Sequence, residues 1–362
     1  MEIKYLKFKD KDNTNLSTTK FLDCDNIYHE KIKHSRDKKR YNYSLPNFTE
    51  IKLKSIKNSL IKTGSYYYDK SKNDEKSYDC KQYIVNELRR VMKMPSEKNV
   101  LPLFYGAGES FQHFMMHVYP VLVTLTDYLK SNNDIKIALY KPEFDSFDYL
   151  VKKLDIENKF IFLKPGQKIL CENSISTELL PYQPYCYITP KIVRETWKIL
   201  QEESISNQEY LIYMGRKNGR NRRDRNHEDV VKYLKQFSEE KNLKFINFNH
   251  SDYSVEDRFN LFRKAKIVIY IHGGAGYNIY FCQKDTLVIE INWCFSMKEC
   301  GLPYDNRKPN KGETLDCLEY IANPIGFNFY CVVGKERENK YSTKVTVPLE
   351  KIKMILNERP LK

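Results

Sequence analysis

The sequence predicts an α/β protein made of two parallel-sheet domains. Three observations carry that expectation. Short apolar runs alternate with helical periodicities over residues 98–163, and the alternation resumes over 210–291. A stretch containing Pro181, Pro184 and Pro190 separates the two series. The chain has 362 residues, 41% of them hydrophobic, enough for two cores.

Residues 1–95 are rich in Lys, Asn, Asp and Tyr and show no sustained period. They read as a polar, partly irregular cap on the first domain, and the basic tract 34–40 within them as a solvated face. Residues 99–105 then form a strand, and Gly106, Ala107 and Gly108 turn the chain. Phe111, Phe114, Met115, Val118, Leu122, Leu125 and Leu129 recur at helical spacing. A strand over 135–140, a helix over 146–155 and a strand over 160–163 complete a β-α-β-α-β series, the pattern of parallel strands with crossover helices. A helix near 190–203 opens the second series. Strands over 210–214, 244–248, 267–271 and 286–291 alternate there with helices over 228–240 and 255–265 and a short one from Ala275. A last helix covers 348–358. The reading is two Rossmann-like halves. The first domain is 1–190 with its polar N-terminal extension, the second is 191–345, and the terminal segment 346–362 is a helix expected to pack back on the first.

Composition narrows the class. With 28 Tyr and 19 Phe the chain is not of disordered type. Its net charge of +14 admits a nucleic-acid-binding protein as well as an enzyme for anionic substrates, but no RRM, KH or zinc-finger pattern is present. No run approaches the ~18 apolar residues of a membrane-spanning helix, and the start lacks the apolar core of a secretory signal. The nine cysteines form no CxxC and no Cys/His set with zinc spacing. They read as reduced thiols in a cytoplasmic compartment, small hydrophobes at Phe281-Cys282 and Tyr330-Cys331. The sequons at Asn15, Asn47 and Asn249 are then chance matches.

The strongest local signal is His272-Gly273-Gly274-Ala275-Gly276-Tyr277-Asn278, which follows an apolar strand and opens a helix. Small residues there let backbone N–H groups approach an anion, and the helix N-terminus adds partial positive charge. A diphosphate is the natural guest. The loop is neither GxGxxG nor a Walker loop. Arg216 follows a strand, and its fork of donors suits phosphate oxygens. Arg222, Arg223 and Arg225 crowd the next loop, with Arg223 as the candidate second clamp. Glu290, at the end of a buried strand, offers acceptors to ribose hydroxyls or pairs with a nearby cation. His113 and His117, four residues apart, share one helix face. Asp10-Lys11-Asp12 and Asp23-Cys24-Asp25 lie in the polar region, not after an apolar strand, so no metal site is expected.

Together these residues resemble glycosyltransferase family 61. Tyr253 to Arg258, Ala265, His272 to Asn278 and Val288-Ile289-Glu290-Ile291 are similar to its C-terminal signature, approximately "s-x-x-E-Q-i … A … HGAgltN … vvEi". Met214-Gly215-Arg216 and the segment 222–228 are similar to its "SR … RrilNE", and 111–120 to its "N-x-x-HW-x-x-D-x-x-P". The resemblance covers 105–292. It implies a GT-B-like enzyme: two Rossmann-like domains facing each other across a cleft that holds a nucleotide sugar. It implies inverting transfer of GlcNAc, xylose or a similar sugar, from a donor that is commonly UDP-linked, to a hydroxyl of a glycan or glycoprotein. The donor is substrate; no cofactor is expected. The chain departs from the pattern at three places: His117 stands where the family has an acid, Ser110 where it has Asn, and an extra glycine makes the loop His272-Gly273-Gly274-Ala275-Gly276, a change that should preserve its backbone role.

On this reading Arg216, Arg223, His272, Gly273, Gly274, Ala275, Gly276, Asn278 and Glu290 bind the nucleotide sugar. Arginines and the helix dipole stand in for a cation, so the enzyme is expected to be metal-independent. Inversion needs a base opposite the leaving diphosphate, and Glu109, His113 and His117 are the candidates, His113 having the positional match. The alternatives are an inactive relative that only binds nucleotide or glycan, and a basic nucleic-acid-binding protein. The sequence leaves a homodimer open.

Overall fold

A computed structural model describes residues 2–7, 20–22, 50–62, 96–104, 109–164, 167–177, 190–201, 209–216, 223–293, 318–334 and 344–358. The chain forms two compact units: Met1–Asp12 with Pro46–Thr196, and Asn13–Leu45 with Trp197–Lys362. The loop 106–108, Arg222, the basic tract 34–40 and both Asp-x-Asp segments lie outside the described residues.

In chain order the strands are β1 (Glu2–Lys7), β2 (Lys20–Leu22), β3 (Glu50–Lys62), β4 (Ser96–Pro102), β5 (Ile135–Tyr140), β6 (Phe160–Leu163) and β7 (Lys168–Thr177). Then come β8 (Tyr210–Met214), β9 (Arg223–Asp224), β10 (Lys244–Asn247), β11 (Ala265–Ile271), β12 (Leu287–Trp293), β13 (Asn328–Gly334) and β14 (Lys344–Val345). The α-helices used below are α1 (Tyr119–Ser131), α2 (Phe147–Lys152), α3 (Pro190–Leu200), α4 (His227–Glu240), α5 (Val255–Arg263), α6 (Glu319–Ile325) and α7 (Leu349–Glu358). The fold is α/β with parallel sheets, as the alternation of strands and helices predicts.

The first unit carries a mixed six-stranded sheet in the order β1-β3-β7-β4-β5-β6. The β7, β4, β5 and β6 strands run parallel, while β3 pairs antiparallel with both β1 and β7. Two expectations need correction here. The polar region 1–95 is not only a cap, because it supplies β1 and β3 to this sheet and β2 to the other. Its signal is faint because β3, EIKLKSIKNSLIK, alternates cleanly only in its first residues. The strand β7 is absent from the sequence-based series, since KILCENSIST mixes apolar and polar residues without a steady period. Val100, Ala138, Tyr140, Leu163, Ile169 and Cys171 form the core between these strands.

The second unit carries a six-stranded sheet, order β10-β8-β11-β12-β13-β2, in which every pair is parallel. Six of the seven residues of β11 are buried, as expected of a central strand covered on both faces. On one face α4 and α7 close a continuous core, with Val230, Leu234 and Phe237 meeting Ile352, Ile355 and Leu356 over the strand residues Leu211, Ile269 and Ile289. The terminal helix therefore packs on the second unit rather than back on the first. Its amphipathic pattern is the same for either partner, so the sequence alone does not choose. Also near α5, the Phe259 and Phe281 rings stack with centroids 3.6 Å apart. Cys171, Cys282 and Cys331 are buried, as small core hydrophobes would be.

Candidate active site

The connectivity of the second sheet singles out a candidate ligand-binding position without reference to any ligand. From β8 the chain crosses by α4 to β10 on one side, then by α5 to β11 on the other side of β8. The carboxyl ends of β8 and β11 thus border the point where strand order reverses, the place where open parallel sheets bind ligands. Gly215 and Arg216 follow β8, and His272 to Gly276 follow β11.

Each piece of the β11 loop has a local cause. Gly273 has φ 144°, a backbone region that residues with a Cβ rarely enter. The 3-10 helix Gly274–Phe281 begins at once, tied by Gly276 N to Gly273 O at 2.9 Å and by Asn278 Nδ2 to Ala275 O at 2.8 Å. The first N–H groups of such a helix have no intrahelical partner. Gly276 must be glycine, because a Cβ would stand 2.5 Å from the Tyr270 ring and 2.8 Å from Leu318. Gly273 and Gly276 are buried, His272 and Gly274 half-buried, and Ala275 exposed, so the rim of the loop reaches the surface.

Two buried carboxylates organise this position. Glu290, fully buried on β12, takes Nδ1 of His272 at 2.6 Å on Oε1. Its Oε2 accepts from the Tyr270 hydroxyl and the Leu318 amide, each at 2.8 Å. Asp224 on β9 repeats the arrangement. Its Oδ2 accepts from the Tyr213 hydroxyl at 2.7 Å and meets Nδ1 of His227 at 2.6 Å, while its Oδ1 accepts from the Arg216 amide at 3.1 Å. Burial, and then the Asp224 charge, hold the Tyr213 phenol well above its usual range, so it stays protonated and donates. Arg216 joins the two clusters: its amide sits on Asp224 and its Nη2 donates to the His272 carbonyl at 3.0 Å.

The structure thus brings Arg216, His272, the 273–276 loop, Asn278 and Glu290 into one neighbourhood. The Arg223 backbone pairs with Lys344 in the short sheet of β9 and β14, and Arg225 is exposed. Sequence reasoning alone assigns nothing to Tyr213, Tyr270, Asp224 or His227. A usable signal is there: each tyrosine stands at or beside the last residue of a buried strand, where its hydroxyl needs a partner.

The candidate bases lie in the first unit. The Glu109 carbonyl accepts from Glu143 N at 2.8 Å. His113 ends a short helix, Phe111–His113, and a π-helical turn, Phe114–Val118, follows before α1. The extra residue of a π-turn changes how residues four apart superpose, and such turns recur at functional sites. Here the His113 and His117 rings stack at 5.6 Å between centroids. His117 is buried, and burial together with the His113 ring pushes its pKa down to about 3.

That depression has a consequence for stability. The unfolded chain takes up a proton near pH 6.5 that folded His117 refuses until about pH 3. Stability is therefore full above pH 6.5 and declines as pH falls from there toward 3. The decline from pH 7 to 5 should be about 2 kcal/mol, at ~1.4 kcal/mol per unit. Urea midpoints at the two pH values measure it, and a His117→Leu variant should lose this part of the dependence. An unchanged pH slope in that variant would show that His117 is not the group responsible.

Among the described residues no three His, Cys, Asp or Glu side chains are placed to hold a metal ion, and no helix is long and apolar enough to cross a membrane. No curated protein matches the chain. Among solved structures, the metal-soaked Flv1 flavodiiron core from Synechocystis sp. PCC6803 is similar at 11% identity over 75% of this chain and 81% of that one, with a TM-score of 0.25. A likeness at that level carries no argument. The family comparison is informative: residues 111–289 match Glycosyltransferase 61. The match opens two residues before His113 and closes one residue before Glu290, so it spans Arg216, Asp224 and the whole His272 loop. Over that segment, just under half of its length, the chain is similar to glycosyltransferase family 61.

Proposed function

We propose that the protein is an inverting glycosyltransferase whose donor, a nucleotide sugar of the UDP class, binds at the carboxyl ends of β8 and β11. The family match over 111–289 carries the reading. In support, Arg216 and the His272 loop meet at the switch point of a parallel sheet. There the diphosphate would accept from the Arg216 guanidinium and from the first N–H groups of the Gly274–Phe281 helix. These positive ends offset the charge that builds on the departing diphosphate, so donor binding is proposed to need no divalent cation. Gly273, Gly274, Ala275 and Gly276 let the phosphates approach the backbone, Asn278 and His272 hold the loop, and Glu290 holds His272. Arg223 is kept as a second phosphate contact. In the transfer step the acceptor hydroxyl oxygen bonds to the anomeric carbon, the bond from that carbon to the diphosphate breaks, and the hydroxyl proton passes to a base. His113 is proposed as that base, with Glu109 and His117 as the other candidates. The acceptor is a hydroxyl of a glycan or glycoprotein.

Arg216→Ala tests the donor site. Losing one charge-assisted contact costs roughly 1.5–3 kcal/mol, about ten- to a hundred-fold in UDP affinity by titration calorimetry with EDTA present. Arg216→Lys should not restore it fully, because the fork of donors is gone. Unchanged affinity in the alanine variant removes Arg216 from the site, and binding that vanishes with EDTA in the parent protein overturns metal independence. A second reading, a relative that binds nucleotide or glycan without transfer, is favoured by one observation: His117 fills the family's acidic position and is kept neutral. Donor turnover by the parent protein excludes it.

A further inference from the structure

Arg216 is held at both ends, and the two anchors differ. At the guanidinium it touches the His272 carbonyl, part of the loop already assigned to the donor. At the backbone it rests on Asp224, which comes from another segment and has no role in the donor reading.

Asp224 is unusually well fixed. Besides the Arg216 amide it takes Tyr213 and His227, and Asn247 Nδ2 lies 3.4 Å from the far nitrogen of that imidazole. A carboxylate accepts, so the His227 Nδ1 carries the proton and its Nε2 is left to accept from Asn247. The segment bearing Asp224 is itself pinned. The β9 strand pairs with β14, Arg225 N donates to Val345 O at 2.9 Å, and Asn226 exchanges two 2.9 Å bonds with the backbone of Val347. Gly215 completes the fit: a Cβ there would lie 2.7 Å from Asp224 Oδ2 and 2.8 Å from the His227 ring. The β8 end is therefore seated directly on this cluster.

We propose that Asp224 is a positioning residue of the donor site, which fixes the backbone from which the Arg216 guanidinium reaches the diphosphate. A donor that must be gripped by one arginine gains from an arginine whose backbone is already immobile, because less freedom is lost on binding. The Tyr213–Asp224–His227 cluster does for Arg216 what Tyr270–Glu290–His272 does for the β11 loop. This inference rests on the donor reading above and adds to it a residue that need not touch the ligand.

A double-mutant cycle on the full chain tests it, with UDP as the probe. Asp224→Asn keeps size but replaces one of the two acceptor oxygens with an NH₂ donor, so the Arg216 amide, Tyr213 and His227 cannot all be satisfied. It should weaken UDP binding about five- to ten-fold in the parent background and by less than about twofold in the Arg216→Ala background. A role confined to holding the fold would give the same loss in both backgrounds. Should Asp224→Asn fail to fold, Tyr213→Phe removes one donor to the same oxygen and should show the same coupling on a smaller scale. Additive losses, or a folded Asp224→Asn with parental affinity, overturn the proposal while leaving the Arg216 effect, and so the donor site, intact. Absence of UDP binding by the parent protein overturns the donor reading instead, and this inference with it.

Discussion

Replacing His113 with alanine is expected to lower sugar transfer by about 10²–10⁴-fold, the range for loss of a general base. UDP affinity should stay within about twofold of the parent, because His113 is not among the residues proposed to bind the diphosphate. The physical case starts from the proton. The acceptor hydroxyl must lose it as the new bond forms, and a neutral imidazole, titrating ordinarily near 6.5, takes it readily at pH 7. His113 stands half-buried beside the π-turn with its ring on that of His117. His117 is poorly suited to act as the base, because it is buried and refuses a proton down to about pH 3. A group that cannot be protonated at working pH cannot carry the acceptor's proton, but it can support the ring stacked upon it. Transfer measured with saturating donor, beside UDP titration, separates the outcomes. Full turnover in His113→Ala with a loss in Glu109→Gln moves the base to Glu109. Full turnover in both, with a loss in a stably folded His117→Ala, moves it to His117. Activity in all three places the base outside this segment.

What is legible in the sequence follows from how each element buries its residues. The β8 and β11 strands are almost wholly apolar because helices cover both faces, and such runs stand out. The 111–129 periodicity marks a helix whose Phe114, Met115, Leu122, Leu125 and Leu129 are all in the core. The β3 and β7 strands are hidden for the opposite reason, since they pair antiparallel in a mixed sheet and carry Lys, Asn and Ser between their apolar residues. At the proposed donor site, Arg216, His272 and the glycines stand out in the sequence. The residues that hold them do not. Asp224 sits in a run of arginines, where a carboxylate reads as charge balance, and only the fold shows it buried under Tyr213 and Gly215. Glu290 is legible as a strand-end carboxylate but not in its direction. A sequence cannot say whether such a group faces a ligand or the interior; here it is fully buried and accepts from Tyr270, His272 and the Leu318 amide.

That inward geometry sets the last expected result. Glu290→Ala should destabilise the protein by at least about 3 kcal/mol, read as a fall in urea midpoint. Three donors converge on this carboxylate: the Tyr270 hydroxyl, His272 Nδ1 and the Leu318 amide. Each buried donor left without an acceptor costs about 1–3 kcal/mol, and a cavity adds to the loss. Glu290→Gln should cost less, about 1–3 kcal/mol, because the amide keeps volume and one acceptor but turns an NH₂ toward donors. The effect should extend to ligand binding. Tyr270 and Leu318 are also the wall against which Gly276 turns, with no room for a methyl group between them. Once they shift, the loop loses the support that sets its N–H groups, so the folded Glu290→Gln variant should bind UDP more weakly than the parent. A direct ribose contact would give a different pattern: UDP affinity would drop in Glu290→Gln with no change in urea midpoint, and affinity for inorganic pyrophosphate would be untouched. If the loop is what fails, pyrophosphate weakens together with UDP and the midpoint falls with both.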